Sequence, residues 1–225
     1  MAEADTVKEH DFVELEYTGK LADGTIFDTT SAEVAKKNNF HREETRFENA
    51  LVCIGEQQVL AGLEQALKGK EIGKAYTMNL TPEQAFGKRD IKKVKILPAA
   101  AFREHKMDPH PGMQIDVDGQ MGVVTSVSGG RVIVNFNHPL AGKEVQYEFT
   151  IKRKITDTAE QIEAYIHSSL HVPLGQLHAE VKEGKATVSM PLVLPEPIIQ
   201  ALGKRLQEII PVVKEVSFVK KDEKK

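Results

Sequence analysis

Asp28 is the residue from which any chemistry has to be argued. It is a single carboxylate directly after Phe27, in a chain whose apolar and aromatic residues arrive at the ends of predicted strands and on one short helix. That arrangement describes an apolar binding pocket. Asp28 also has a purely local reading, because Asp before Thr29-Thr30 commonly caps a turn. No Gly-rich phosphate loop, nucleophile elbow or metal-protease helix motif occurs, so most familiar reaction classes lose their support. His167 and His171 stand i, i+4 apart on a predicted helix, with His178 beyond, a spacing that a metal could use. No Cys or acidic ligand accompanies them and Pro173 interrupts, so they read as solvated surface histidines and no metal is expected. Cys53, between apolar residues of β type, reads as a small buried hydrophobe. The basic run at residues 88–95 reads as a solvated edge that could steer an acidic or unfolded partner.

Composition narrows the class further. A chain of 225 residues has room for two domains or three small ones. With 30 Lys and Arg against 33 Asp and Glu, the net charge of -3 supplies no global attraction to nucleic acid or to an anionic membrane. The only cysteine excludes an internal disulfide framework and fits a reducing compartment, so a cytoplasmic location is expected. The polar, acidic start is unlike a secretory signal, and no run of apolar residues is long enough to span a bilayer.

The elements that must position Asp28 follow from periodicity. Residues 12–18 alternate, with Val13, Leu15 and Tyr17 on one face and Glu14 and Glu16 on the other, which predicts an edge or outer antiparallel strand. Ala22-Asp23-Gly24-Thr25 turns the chain into a hairpin with Ile26 and Phe27. Residues 31–49 read as a long loop with at most one helical turn, and residues 51–54 as a strand. Val59, Leu60, Leu63, Ala66 and Leu67 fall at helical spacing over residues 57–68, with Gly69 as the stop. A further strand is predicted around Tyr76, Met78 and Leu80. Asp118-Gly119 and Gly129-Gly130 separate three β-rich runs at residues 113–136, a compact all-β insert. Residues 145–151 repeat the early alternation and supply the missing strand of the first module. From Asp157 onward an α-β-β-α-β unit is predicted, small for independent stability, with an apolar stripe from Ile198 to Ile209 that could dimerise. Its charged tail from Lys220 is expected to fray.

Tyr17-Thr18-Gly19 precedes Asp23-Gly24-Thr25-Ile26-Phe27-Asp28, and Ile54-Gly55 leads into Val59-Leu60-Ala61-Gly62-Leu63-Glu64. Thr81-Pro82-Glu83 with Ala85-Phe86-Gly87 follows, and then Asn137-His138-Pro139-Leu140-Ala141-Gly142-Lys143. In this order, over the first two-thirds of the chain, the motifs resemble the FKBP-type peptidyl-prolyl cis-trans isomerases, most closely the long SlyD-like branch with an insert in its flap. The resemblance implies an α+β fold in which an FKBP-like antiparallel sheet wraps a short helix. It places the isomerase domain at residues 1–88 and 138–155 and the flap insert at residues 89–137. An extra C-terminal domain at residues 156–225 lies outside the family pattern.

Carried over by position, the pocket would be lined by Tyr17, Phe27, Asp28, Val59, Leu60, Leu63, Phe86 and Tyr147. The chain departs from small family members at Leu63, where Trp is common, at Phe86, where Tyr is common, and at Ala50, aligned with a further aromatic. The implied reaction is rotation about the X-Pro bond, whose barrier of about 18–20 kcal/mol comes from amide resonance. The twisted transition state has less charge separation than the planar amide, so an apolar cavity favours it, with no metal, cofactor or covalent step. The implied partners are unfolded or partly folded proline-containing chains, with chaperone activity from the insert. A non-catalytic holdase or assembly factor of the same fold is the alternative. Taken singly, Tyr17, Phe27, Val59, Leu63 and Tyr147 could all be ordinary core.

Overall fold

The computed structural model describes residues 6–38 and 47–220. The chain divides into two compact units, Met1–Leu80 with Val145–Lys225, and Thr81–Glu144. Parts of the predicted loop (residues 39–46) and of the charged tail (residues 221–225) lie outside the described residues.

The larger unit begins with β1 (Phe12–Leu21), β2 (Ile26–Thr29), helix α1 (Ala32–Lys37), β3 (Ala50–Cys53), helix α2 (Ala61–Leu67) and β4 (Ala75–Leu80). The smaller unit follows with β5 (Val94–Pro98), α3 (Ala99–Glu104), β6 (Gln114–Val117), β7 (Gln120–Ser128) and β8 (Arg131–Asn135). The larger unit resumes with β9 (Val145–Ile155), α4 (Thr158–Leu170), β10 (His178–Lys182), β11 (Lys185–Met190), α5 (Glu196–Ile209) and β12 (Glu215–Lys220).

β1 is central, not the edge strand that its charged face predicts. It pairs antiparallel with β9 along its whole length, with β2 at its end and with β3 at its start, and β4 completes the 5-stranded sheet beyond β9. Side-chain alternation reports faces and says nothing about backbone neighbours. Glu14 and Glu16 tolerate a central place because β9 sets Arg153 and Lys152 against them. β9 is the strand expected from residues 145–151, with Val145, Tyr147, Phe149 and Ile151 all buried.

α2 starts at Ala61 and not near Gln57, because Gly55 and Gln57 both have positive φ, 101° and 53°, which no helix can accommodate. Val59 and Leu60 therefore stand on the entry loop, ahead of the helix that carries the fully buried Leu63 and Leu67.

In the C-terminal part, Asp157 caps α4 by accepting the Glu160 N–H at 2.8 Å. α4 packs on β10 and β3, and α5 crosses between β11 and its parallel neighbour β12. The apolar stripe of α5 is not a free surface: Leu202, Leu206 and Ile209 are buried in a core that also takes in Phe12, Cys53 and Ile155 of the first sheet. The stripe is consumed within the chain because three strands and two helices leave too little interior of their own.

The smaller unit is a 4-stranded sheet in the order β5-β8-β7-β6. Both predicted turns are present, with positive φ at Asp118 and Gly119 and at Gly129 and Gly130, the geometry that two-residue hairpins need. The unit is not all-β, since Ala99-Ala100-Ala101-Phe102 forms α3 behind Pro98, where Ala propensity prevails and buries Ala99 and Phe102. The segments that enter and leave its sheet are clasped by Asn137, which accepts from the Asp90 N–H at 2.8 Å and donates to the Asp90 carbonyl at 2.9 Å.

Candidate active site

The site is built where β1 runs between β2 and β9. Gly19 pairs with Asp28 on one side and with Tyr147 on the other, so these side chains share a face, and Tyr17 shares it two residues away. Phe27 should point the opposite way. The register skips it, because Gly19 faces Asp28 and Lys20 already faces Ile26, and this bulge brings the ring round to the same face. Gly19 leaves room for it: a Cβ there would stand 2.7 Å from Phe27 Cζ and 3.1 Å from Tyr147 Cζ.

Three rings and one carboxylate therefore meet. Phe27 approaches Tyr147 edge-on, with centroids 5.8 Å apart at 82°, and Tyr17 lies 5.7 Å from Tyr147, tilted by 53°. The Tyr17 hydroxyl donates to Asp28 Oδ2 at 3.0 Å. Below them a polar clasp fixes the backbone. The Tyr17 N–H donates to Thr30 Oγ1 at 2.9 Å, the Thr30 N–H donates to the Tyr17 carbonyl at 3.0 Å, and the buried Thr18 and Thr29 hydroxyls share a bond of 2.9 Å. Thr29-Thr30 thus secures the strand pair rather than leaving Asp28 as a mere turn cap.

Burial raises the Asp28 carboxyl above its ordinary value, and the bonds from Tyr17 and the Thr29 N–H only partly offset it. Ionised Asp28 is consequently a cost to the fold, absent below the unfolded pKa and complete once pH has risen past the folded one. Burial, with the Asp28 charge in second place, also lifts the Tyr17 and Tyr147 phenols, which remain protonated donors throughout the neutral range.

Leu63 is 1% exposed on α2, while Val59 and Leu60 are half-buried on its entry loop. Among the described residues none accepts from the Leu60 N–H. Ring contacts and a hydrogen bond join Tyr17, Phe27, Asp28 and Tyr147, while Val59 and Leu60 on the entry loop and Leu63 on α2 belong to the same unit. Phe86 lies in the smaller unit, where its ring stacks on His138 at 4.6 Å and 2°. Sequence reasoning assigns no role to Gly19, to the bulge at Phe27 or to Glu64, a buried carboxylate that accepts the Gly55 and Gln57 N–H groups. Only the Gly in Tyr17-Thr18-Gly19 was a visible signal, since registers and bulges depend on neighbours distant in the chain.

Among the described residues His167, His171 and His178 do not assemble into a centre. His167 is half-buried, with Nδ1 2.8 Å from the Val172 carbonyl, so it is structural rather than solvated, and His171 closes α4 in the left-handed conformation. Among the described residues no group of three or more His, Cys, Asp or Glu could hold a metal ion. Cys53 is buried as expected, its thiol pushed up to about 12 chiefly by desolvation. No helix among the described residues is long and apolar enough to cross a membrane.

Comparison with known proteins bears on what this geometry is for. The family described as FKBP-type peptidyl-prolyl cis-trans isomerase matches residues 3–103, and the family described as FKBP26, IF domain matches residues 95–140. The short-type peptidyl-prolyl cis-trans isomerase of Methanocaldococcus jannaschii is 33% identical over 154 residues, covering 68% of this chain and 96% of that protein. The FKBP-type peptidyl-prolyl cis-trans isomerase SlyD of Aeromonas hydrophila is 32% identical over 161 residues, 71% of this chain and 68% of that protein. The FKBP-type 16 kDa peptidyl-prolyl cis-trans isomerase of Escherichia coli is 28% identical over 153 residues, 66% and 93% respectively. The motif order read from the sequence is therefore inherited and not coincidental, and the chain belongs to the FKBP-type peptidyl-prolyl cis-trans isomerases, in the SlyD-like group that carries an insert-in-flap domain.

Proposed function

We propose that this isomerase acts on X-Pro bonds of unfolded or partly folded chains at the cluster of Tyr17, Phe27, Asp28 and Tyr147, with Val59, Leu60 and Leu63 as the remaining wall. The observation that carries the assignment is the Tyr17–Asp28 hydrogen bond set among three aromatic rings. The rings offer the pyrrolidine an apolar seat in which the twisted amide is favoured over the planar one. The Leu60 N–H holds a substrate carbonyl, and Asp28 with Tyr17 orients the polar side of the peptide. Phe86 is outside this assignment.

The insert supplies chaperone activity in the same proposal. Ile91, Ile96 and Met121 are 85%, 62% and 60% exposed, and among the described residues β5 and β6 are the outer strands of their sheet. Met121 suits unspecific apolar contact, whereas Met113 packs against the insert's own core. Two chain connections tether this surface to the catalytic unit and raise the effective substrate concentration there. Cytoplasmic residence and a homodimer complete the proposal. With the α5 stripe consumed, the dimer would rest on exposed Leu192, Val193, Ile198 and Val212, and a monomeric mass in light scattering at micromolar concentration would remove it.

A proline-limited refolding assay run beside a short-peptide assay tests the whole reading. Asp28→Ala is expected to lower kcat/KM on the peptide severalfold, about 1 kcal/mol of transition-state stabilisation, and to slow refolding in step. Deleting residues 89–137 is expected to cripple refolding far more than peptide turnover. Unchanged peptide kinetics in folded Asp28→Ala would remove Asp28 from the site, and a wild type that only suppresses aggregation near one-to-one would be a holdase.

A further inference from the structure

The loop at residues 54–60, between β3 and α2, is held from two directions. From within, one Glu64 oxygen accepts the N–H groups of Gly55 and Gln57, at 3.1 and 2.9 Å. From the C-terminal part, Arg205 on α5 grips Glu56, which lies between those two anchored residues. Arg205 Nε donates to both Glu56 oxygens, at 3.1 and 3.0 Å, and Nη2 closes a second arm onto Oε1. Tyr165 on α4 donates its hydroxyl to Glu56 Oε2 at 3.2 Å. The Glu56 side chain is only 8% exposed, and Glu208 steadies the other side of the guanidinium at 2.6 Å.

A guanidinium fork on a carboxylate fixes direction as well as distance, and withdrawal from water weakens screening by salt. A clamp of this strength on an exposed loop of the sheet would be ordinary. Here the clamped residue is three positions before Val59 and four before Leu60. The loop cannot shift Glu56 without shifting the wall that follows, because Gly55, Gln57 and Gln58 are all tied as well, Gln58 through the Cys53 N–H at 2.8 Å.

We infer that Arg205 is a positioning residue for isomerisation. By clamping Glu56 it holds residues 54–60 so that Val59 and the Leu60 N–H stand in place for the peptide, which makes the C-terminal part a working component of the catalytic unit. The inference rests on the assignment of Val59 and Leu60 to the site. Those groups bind the peptide and take no part in the bond rotation, so the effect falls on KM more than on kcat.

The full chain and a short proline peptide serve as the test. Glu56→Gln and Arg205→Ala are each expected to raise KM about fivefold, the scale of coupling carried by such contacts, with kcat nearly unchanged. Arg205→Lys should recover part of the loss, and the double variant should be no worse than either single one, since both break the same clamp. Amide exchange at Gly55 and Gln57, whose N–H groups are bonded to Glu64, should quicken while Leu67 and Phe149 keep their protection. Glu56→Gln retains shape and an acceptor, so it reports even if Arg205→Ala is too unstable to assay. Variants that melt earlier yet keep wild-type KM would reduce Arg205 to a stabilising contact and overturn the inference. Val59→Ala separates the causes. If it weakens kcat/KM while the clamp variants do not, only the positioning role falls; if it is itself silent, the site assignment falls and takes the positioning role with it.

Discussion

Gly19→Ala is expected to reduce kcat/KM by about tenfold to a hundredfold while the protein stays folded. The added Cβ would lie 2.7 Å from Phe27 Cζ, and carbon atoms at rest keep about 3.5–4.0 Å, so the ring must move by about 1 Å. A displacement of about 1 Å in a positioned group can cost about a hundredfold in rate. The fold tolerates the change, because Gly19 does not use the left-handed backbone and the half-exposed Phe27 can swing outward. Peptide turnover and circular dichroism on the same samples decide the matter. Because the cause is crowding, Phe27→Leu on top of Gly19→Ala should recover activity relative to Gly19→Ala alone. Full activity in the single variant would mean that the ring cluster is not where the prolyl residue sits.

Leu206→Ala is expected to destabilise the larger unit by about 2–5 kcal/mol, the usual range for truncating a fully buried Leu. Leu206 is completely buried in the core that joins α4, α5 and the C-terminal sheet to Phe12, Cys53 and Ile155. Since those three belong to the first sheet and its exit, the loss should not be confined to the last third of the chain. β1 and β9 amides should lose protection together with those of β11, in one cooperative transition. Hydrogen exchange gives the answer: a variant in which the C-terminal part opens alone, with the first sheet as protected as before, would show that the shared core does not couple them.

The difference between what was legible and what was not follows the range of the forces involved. β9 and the two glycine-bearing hairpins of the insert were readable because alternation and positive-φ requirements are local. The start of α2 was misread, since nothing near Gln57 announces that Glu64, seven residues on, will draw the loop N–H groups to itself. α3 was missed for the opposite reason, a short Ala run behind Pro98 being too brief for periodicity to register. The central place of β1 was hidden because charged residues on one face of a strand say nothing about which strands flank it.

The same division runs through the site. Tyr17, Phe27, Asp28 and Tyr147 were recognisable as residue types in a known order, and order along the chain survives without coordinates. Composition and the single cysteine likewise bounded the class of molecule. What only the tertiary structure decided was which side chains face each other: the skipped residue that turns Phe27 toward Tyr147, the close seat of the Phe27 ring over Gly19, and the reach of Arg205 across the chain to Glu56. Each depends on pairing between segments far apart in sequence, where a shift of one residue sends every side chain to the other face, and no local propensity encodes that choice.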